Sequence, residues 1–258
     1  MAESDKKGGA MNRKREQGWL RTLASCEQPA IRLVCFPHSG ASAVAFREWT
    51  GKLRPGVEQI AVQYPGRGDR FGEELVDDVV ELAGHVVREL VQLPKSDYVL
   101  FGHSLGALVA YETAVLLRDM DREPARLCVS ACLPPGHMEN RHIHQAPDDE
   151  FWDSLCALGG IDPAIAENEE LREMLTPALR SDLRAHATYE PGPETKPLSC
   201  PVYCYHGLGD PLVDEEQVVG WADVTTGAFR VGVRPGGHFH LSTDAEGLVA
   251  EILDDPRN

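Results

Sequence analysis

The sequence predicts an α/β protein with a mostly parallel central sheet flanked by helices. Short apolar runs typical of buried strands alternate with helical patterns along most of the chain. The chain has 258 residues, enough for one or two domains of about 150 residues each. A chain of this length buries about three quarters of the surface that its unfolded form exposes. It is therefore expected to be stable without disulfides or a structural metal.

The first half of the chain alternates strand and helix. The predicted strands are 31–36, 59–64, 98–101 and 126–132, and the predicted helices between them are 43–53, 75–93 and 105–119. In helix 75–93 apolar residues recur every three or four positions, the period of a helix buried along one face. Because a helix separates each pair of successive strands, the strands are predicted to be parallel.

The alternation stops over 134–200, where prolines open and close a stretch of short acidic helical patterns. We predict a helical insertion that lies over the carboxyl edge of the sheet, where open α/β sheets bind ligands. Strands at 201–206 and 229–233 and a helix at 243–253 complete the pattern. The predicted organisation is a disordered N-terminal tail over 1–29, the first part of the core over 30–133, the helical lid insertion over 134–200 and the second part of the core over 201–258.

The charge of the chain excludes two classes of partner. Its formal net charge is -16 and its pI is near 5.0. Neither nucleic acid nor an anionic membrane surface is an expected partner, because both attract basic faces. The sequence has no run of 18 apolar residues, so no transmembrane helix is predicted. The N-terminal segment carries positive charge but lacks the apolar core of a secretory signal, which favours a cytoplasmic location.

The cysteines and histidines do not predict a metal site. Cys35, Cys128, Cys132 and Cys204 lie in apolar strand-like runs, where a buried thiol packs as a small hydrophobic group. No cysteine pair has zinc-ligand spacing, and the histidines of the insertion lack both nearby cysteines and ordered helical spacing. We expect no metal and a reducing environment.

The segment 102–106, GHSLG, matches the pattern G-x-S-x-G. A hydrophobic strand runs directly into it and a helix leaves from it. In such a strand-to-helix turn the glycines remove side chains that would clash, and the serine projects from the top of the sheet. Ser104 is therefore the predicted nucleophile; the alternative is a glycine-rich turn with an incidental serine.

A serine hydroxyl needs a base that is oriented by a carboxylate. On the fold where this turn occurs, the carboxylate and then the histidine follow the serine in the chain. Asp210 follows the predicted strand 201–206 in a turn with two glycines, and Asp214 is its nearest competitor. His238 follows the last strand in a Gly-Gly loop, and His240 is its rival. We predict Asp210 as the orienting acid and His238 as the general base.

An acyl-transfer reaction also needs two backbone N–H donors for the oxyanion. One is expected from Leu105, the residue after the nucleophile. The other is expected from the Ser/Gly loop after the first predicted strand, which lets the main chain approach the substrate. Ser39 is the preferred donor in that loop, and Gly40 is the alternative.

Four segments together resemble the type II thioesterases, which are stand-alone α/β-hydrolases that serve polyketide synthases and nonribosomal peptide synthetases. They are FPHSGA at 36–41, YPGRGDR at 64–70, GHSLG at 102–106 and PGGHF at 235–239. The first two segments are the specific part, since the serine turn occurs in many hydrolases. The resemblance extends from about residue 30 to 253. One departure is small: the first loop is PHSGAS where relatives often have PHAGGS.

The resemblance implies an α/β-hydrolase fold with a mobile lid over 134–200. It implies Ser104 as nucleophile, His238 as base, Asp210 as orienter, and the N–H groups of Ser39 and Leu105 as the oxyanion hole. The substrate would be an acyl group on the phosphopantetheine arm of an acyl or peptidyl carrier protein. The reaction would be hydrolysis that removes stalled or aberrant acyl groups, without a metal or other cofactor.

Other functions remain open at this point. A carboxylesterase or lipase-like enzyme is one alternative, although many lipases have an HGGG-type loop where this chain has P-H-S-G. An acyltransferase or cyclising enzyme on the same fold is another. A non-catalytic scaffold is disfavoured because the three expected catalytic residues occur in the right order.

Residues that contact the substrate are predicted less directly. Phe151, Trp152, Leu155 and Met174 of the insertion are expected to line the acyl channel, although helical spacing fits core packing equally well.

Carrier proteins are typically acidic, so the net charge of this chain opposes long-range attraction. Docking is therefore expected at the lid or at the basic residues of the first half. These are Arg47, Lys52, Arg54, Arg67 and Arg70. Arg67 and Arg70 are candidates for contact with phosphopantetheine or the carrier, and the alternative is that they form surface ion pairs.

Overall fold

The computed structural model describes residues 18–137, 142–213 and 215–254. The strands are β1 Leu20–Ala24, β2 Ile31–Phe36, β3 Val57–Val62, β4 Asp97–His103, β5 Arg126–Ser130, β6 Val202–Gly207 and β7 Phe229–Arg234. The α-helices are α1 Val79–Leu90, α2 Leu105–Arg118, α3 Asp148–Ala157, α4 Pro163–Ala166, α5 Glu169–Thr188, α6 Glu215–Val218 and α7 Ala245–Leu253. Short 3₁₀ helices occupy Ala43–Lys52, Gly68–Arg70, His142–Gln145, Val219–Val224 and His240–Ser242.

The seven strands form one sheet in the order β1-β3-β2-β4-β5-β6-β7. All neighbouring pairs are parallel except β1 and β3, which are antiparallel. The predicted fold class is confirmed. β3 begins at Val57 instead of residue 59, because Val57 already pairs with Ile31 of β2.

The N-terminal edge strand β1 was not expected. Leu20 pairs with Val62 of β3, and the buried Trp19 stacks on His85 with ring centroids 4.5 Å apart. The prediction of a disordered tail over 1–29 is therefore wrong for the part that contains β1; residues 1–17 lie outside the described residues. β1 is short and only half-buried, so its apolar residues form no clear periodic signal.

Helices cover both faces of the sheet, and strand side chains alternate between two cores. Val34 and Phe36 pack with α1 and α2 on one face. Leu33 and Cys35 pack on the other face, with α7 and the 3₁₀ helix Ala43–Lys52. The cysteines expected to pack in strands are buried as predicted, and burial raises the pKa of the Cys128 thiol to about 12.

The chain between β5 and β6 leaves the sheet. Its described residues form the 3₁₀ helix His142–Gln145 and helices α3, α4 and α5, with a small hydrophobic core of their own. We call residues 134–200 the insertion. No described helix has the length and apolar character needed to cross a membrane.

The strand order creates a crevice at the carboxyl edge of the sheet. β3 lies on one side of β2 and β4 on the other, so the chain changes direction in the sheet between β2 and β4. Loops that leave neighbouring strands at such a point diverge, and the space between them is where open α/β sheets bind ligands. Here the two loops carry Ser39 and Ser104.

Candidate active site

Ser104 stands in a strained turn between β4 and α2. Its φ of 53° lies in the left-handed region, which non-glycine residues rarely adopt. The Ser104 N–H donates to the Ser130 carbonyl at 2.8 Å and holds the turn against β5. A Cβ atom on Gly106 would lie 2.1 Å from the Phe36 carbonyl oxygen, so only glycine permits this close approach of α2 to β2.

His238 and Asp210 form a buried pair on adjoining loops. The Nδ1 atom of His238 lies 2.9 Å from Oδ2 and 3.1 Å from Oδ1 of Asp210. The loops after β6 and β7 are tied together by the Gly209 N–H, which donates to the Gly236 carbonyl at 2.9 Å. With Nδ1 on the carboxylate, the Nε2 atom of His238 is left for a serine hydroxyl. Asp214, the competing acid, lies outside the described residues.

His240, the competing base, belongs to a different network. Its Nε2 lies 2.9 Å from the Ser130 hydroxyl, which lies 2.9 Å from Nδ1 of His103. These three buried side chains run beside the His238 ring, whose centroid is 5.4 Å from that of His103. The bridging role of Ser130 had no signal in the sequence.

Burial is the main cause that lowers the pKa of His240, to about 4. Since an unfolded histidine titrates near 6.5, the unfolded chain binds this proton between about pH 6.5 and 4 while the folded chain does not. The free energy of unfolding is therefore expected to fall as the pH is lowered through that window.

We expect His240→Asn to reduce this pH dependence. The loss of unfolding free energy between pH 7 and pH 4, measured by urea denaturation, should be about 3 kcal/mol smaller than in the wild type. His142→Asn, the same change at an exposed histidine, is the control and should behave as the wild type. Equal pH dependence in His240→Asn and the wild type would contradict the assignment.

The backbone around Ser104 contains donors suited to an oxyanion. Leu105 is the first residue of α2, and the first N–H groups of a helix have no partner within the helix and favour negative charge. Ser39 lines the same cavity as Ser104. The Gly40 N–H instead donates to Oδ2 of Asp182 at 2.7 Å, which disfavours Gly40 as the second donor.

A cavity of about 680 Å³ opens above Ser104. Ser39, Ser104 and His238 line it from the sheet, and most of the remaining wall is apolar. Apolar wall residues include Leu155, Leu158, Leu179, Leu183, Leu212 and Phe239. Four of these six belong to the insertion, so the insertion closes the site from above. Such a wall suits an acyl chain.

Three of the four insertion residues expected in the channel do not line it. Phe151 and Trp152 are buried in the core of the insertion and are absent from the cavity wall, and Met174 is 44% exposed. The prediction that Phe151 and Trp152 contact substrate is wrong, because both face inward from α3 as packing residues. Leu155, from the next turn of the same helix, does line the cavity.

The two arginines expected at a docking surface are buried. Arg67 is 5% exposed and pairs with Asp182 of α5. Arg70 is 6% exposed, pairs with Glu73 at 2.7 Å and stacks over Trp19. The prediction that they bind phosphopantetheine or a carrier is corrected: their guanidinium groups are used in internal ion pairs.

The sequence matches one protein family and several relatives over most of its length. The model of the thioesterase domain matches residues 31–255. Thioesterase PikA5 of Streptomyces venezuelae is 38% identical over 92% of this chain and 84% of its own. A probable cadicidin biosynthesis thioesterase of Streptomyces griseus is 37% identical over 91% of this chain, which spans only 64% of that relative.

Solved structures agree with this result. The type II thioesterase BorB from the borrelidin biosynthetic cluster superimposes with a TM-score of 0.83, at 35% identity, over 92% of this chain and 98% of its own. YbtT, the type II thioesterase of the yersiniabactin NRPS/PKS pathway, superimposes with a TM-score of 0.83, at 29% identity, over 92% of this chain and 97% of its own.

Proposed function

The chain belongs to the thioesterase family, and we propose that it hydrolyses acyl thioesters held on the phosphopantetheine arms of carrier proteins in polyketide or nonribosomal peptide synthesis. The main support is that Ser104 and His238, the latter paired with Asp210, line one apolar cavity. The proposed role is to remove stalled or aberrant acyl groups.

Acylation of Ser104 is the first half of the proposed reaction. Nε2 of His238 takes the hydroxyl proton as Oγ attacks the thioester carbonyl. The N–H groups of Ser39 and Leu105 bind the oxyanion of the tetrahedral intermediate. The intermediate then collapses, the C–S bond breaks, and His238 returns the proton to the departing pantetheine thiolate.

Hydrolysis of the acyl-enzyme completes the cycle. His238 removes a proton from a water molecule, and the resulting hydroxide attacks the ester carbonyl. Collapse of the second tetrahedral intermediate breaks the bond to Oγ of Ser104, which recovers its proton from His238, and the free acid leaves. Asp210 stabilises the imidazolium form of His238 in both halves and keeps Nε2 directed at the serine.

The insertion acts as the lid in this proposal. Its apolar side chains form the upper wall of the cavity, so an acyl chain would lie between the insertion and the sheet. A water-poor environment strengthens the interaction of the oxyanion with its N–H donors.

Carrier docking is proposed at the remaining exposed basic residues. Arg47 and Lys52 are exposed on the 3₁₀ helix that follows the Ser39 loop. Arg54 borders a cavity formed with Ile31 and Asp97, at the amino ends of their strands and therefore at the edge opposite Ser104. This placement disfavours Arg54 as a docking residue for a partner that delivers substrate to the carboxyl edge.

The test compares three acyl donors with one acyl group. They are an acyl-loaded carrier protein, the corresponding acyl-pantetheine thioester and its oxygen-ester analogue. We expect kcat/KM to be at least about tenfold higher for the thioesters than for the oxygen ester. The pantetheine thiol is a better leaving group than the alcohol, and it is the leaving group that the proposed function assigns to this site. Free acid should be the sole product. Preference for the oxygen ester would favour a carboxylesterase, and an amide or lactone product would favour an acyltransferase.

A further inference from the structure

A buried carboxylate of the insertion contacts the loop that carries Ser39. Asp182, on α5, is 1% exposed. Its Oδ2 atom accepts a hydrogen bond from the Gly40 N–H at 2.7 Å and pairs with the guanidinium of Arg67. One atom of the insertion thus joins the loop after β2 to the loop after β3. Burial of an unpaired carboxylate costs free energy of folding. Asp182 is therefore expected to keep both of its partners in the folded protein.

The packing around this contact is equally close. Leu179, three residues before Asp182 on α5, lies over Gly40, where a Cβ atom would come within 2.4 Å of its Cδ2. Gly40 has a φ of 76°, in the left-handed region that favours glycine. The helix therefore touches the main chain of the loop both through an apolar side chain and through a charged hydrogen bond.

The loop is also held from the sheet side. The Ala41 N–H donates to the His38 carbonyl at 3.0 Å and closes a tight turn around Ser39 and Gly40. Gln63 connects the segment after this loop to the loop after β3. Its Nε2 donates to the Arg67 carbonyl at 3.0 Å, and its Oε1 accepts from the Ala43 N–H. In a turn this tight, the direction of one peptide N–H restricts that of its neighbour. Holding the Gly40 N–H on Asp182 therefore orients the adjoining amide of Ser39.

We infer that Asp182 is a positioning residue for the oxyanion hole: it holds the Gly40 N–H and so aims the Ser39 N–H at the substrate carbonyl, coupling the seating of the insertion to catalysis. The inference rests on the proposed function. In the proposed reaction Asp182 contacts neither the substrate nor the reacting atoms. Its removal should reduce the rate of the chemical steps more than the binding of substrate.

A single substitution of Asp182 would leave the buried Arg67 guanidinium without its charged partner and destabilise the fold for an unrelated reason. Two double variants avoid this problem. Asp182→Asn with Arg67→Met removes both charges but keeps an oxygen that can accept the Gly40 hydrogen bond. Asp182→Leu with Arg67→Met has nearly the same shape and no acceptor.

We expect the Leu/Met variant to have a kcat at least about 30-fold below that of the Asn/Met variant, with KM values that agree within about threefold. Loss of an oxyanion donor lowers kcat by about 10²–10³-fold, and a misdirected donor should lose a large part of that effect. The substrate is the acyl-pantetheine thioester, which reports on the site without carrier docking. Thermal unfolding of both variants checks that the comparison is between folded proteins, and Asp182→Ala with Arg67→Met replaces the Leu variant if that variant does not fold.

A matched control breaks another contact between α5 and the core. The hydroxyl of Tyr189, directly after α5, donates to Glu112 of α2, away from the Ser39 loop. Tyr189→Phe should lower the thermal midpoint and leave kcat within about threefold of the wild type. Equal kcat values for the Asn/Met and Leu/Met variants would overturn the inference, and so would a difference confined to KM. If the wild type itself released no acid, the proposed function would fail first, so the two failures are distinguishable.

Discussion

Ser104→Ala is expected to lower kcat for an acyl-pantetheine thioester by about 10⁶-fold, and His238→Ala by a similar factor. The hydroxyl cannot attack without a base, and the base has no proton to take without the hydroxyl. The two residues act as one unit, so the double variant should lose no more than either single variant. The residual rate should come from substrate binding and the oxyanion donors, which these substitutions leave in place.

Single-turnover kinetics on the thioester would measure these losses, with the release of free acid and of the thiol followed separately. Ser104→Ala should also form no covalent acyl-enzyme by mass spectrometry. Ser154→Ala is a suitable control, because Ser154 lines the same cavity but lies on α3 in the insertion. A Ser104→Ala protein that still released acid at the wild-type rate would point to a non-catalytic turn, and multiplicative losses in the double variant would show that the two residues act separately.

Asp210→Asn is expected to lower kcat by about 10⁴-fold while changing KM little. The carboxylate lies 2.9 Å from Nδ1 of His238 and is fully buried, so its charge acts on the imidazole with little screening by water. An asparagine keeps the size of the side chain but cannot stabilise the imidazolium. Its N–H₂ group can also face Nδ1 and turn the ring into the tautomer with the proton on Nε2, which cannot accept the serine proton.

The matched control is Asp214→Asn, the same change at the acid that competes with Asp210 in the sequence. It should leave kcat within about twofold of the wild type, as expected for a residue without a role in the reaction. A large loss in Asp214→Asn together with a small one in Asp210→Asn would transfer the orienting role to Asp214.

The core elements were predictable because their periodicity is strong. Helix α1 repeats apolar residues along one buried face, and β4 and β5 are continuous apolar runs of the kind found inside parallel sheets. Strand β1 was missed because it pairs only on one side, with β3, and its side chains are half-buried. A strand stabilised mainly by its neighbour has little pattern of its own.

Some residues of the candidate site were predictable from local sequence, and others were not. Ser104, Asp210 and His238 stand at strand ends beside glycines, and such positions can be recognised from local sequence. The roles of Arg67 and Phe151 depend on distant residues. An arginine in a surface-like loop is paired internally because Asp182 lies on a helix 115 residues later in the chain. Phe151 packs inward because Leu179 of α5 belongs to the same apolar cluster.

The acidic net charge and the order of Ser104, Asp210 and His238, the proposed nucleophile, acid and base, follow from the amino-acid sequence alone, because composition and local turn chemistry determine them. The sequence also predicts the parallel sheet, since the strand and helix periods are properties of short segments. Only the tertiary structure separates His240, bound to Ser130, from His238, bound to Asp210. It alone removes Arg67 and Arg70 from the docking surface and joins Asp182 to Gly40. Each of these contacts depends on how segments far apart in the chain meet, and no local pattern carries that information.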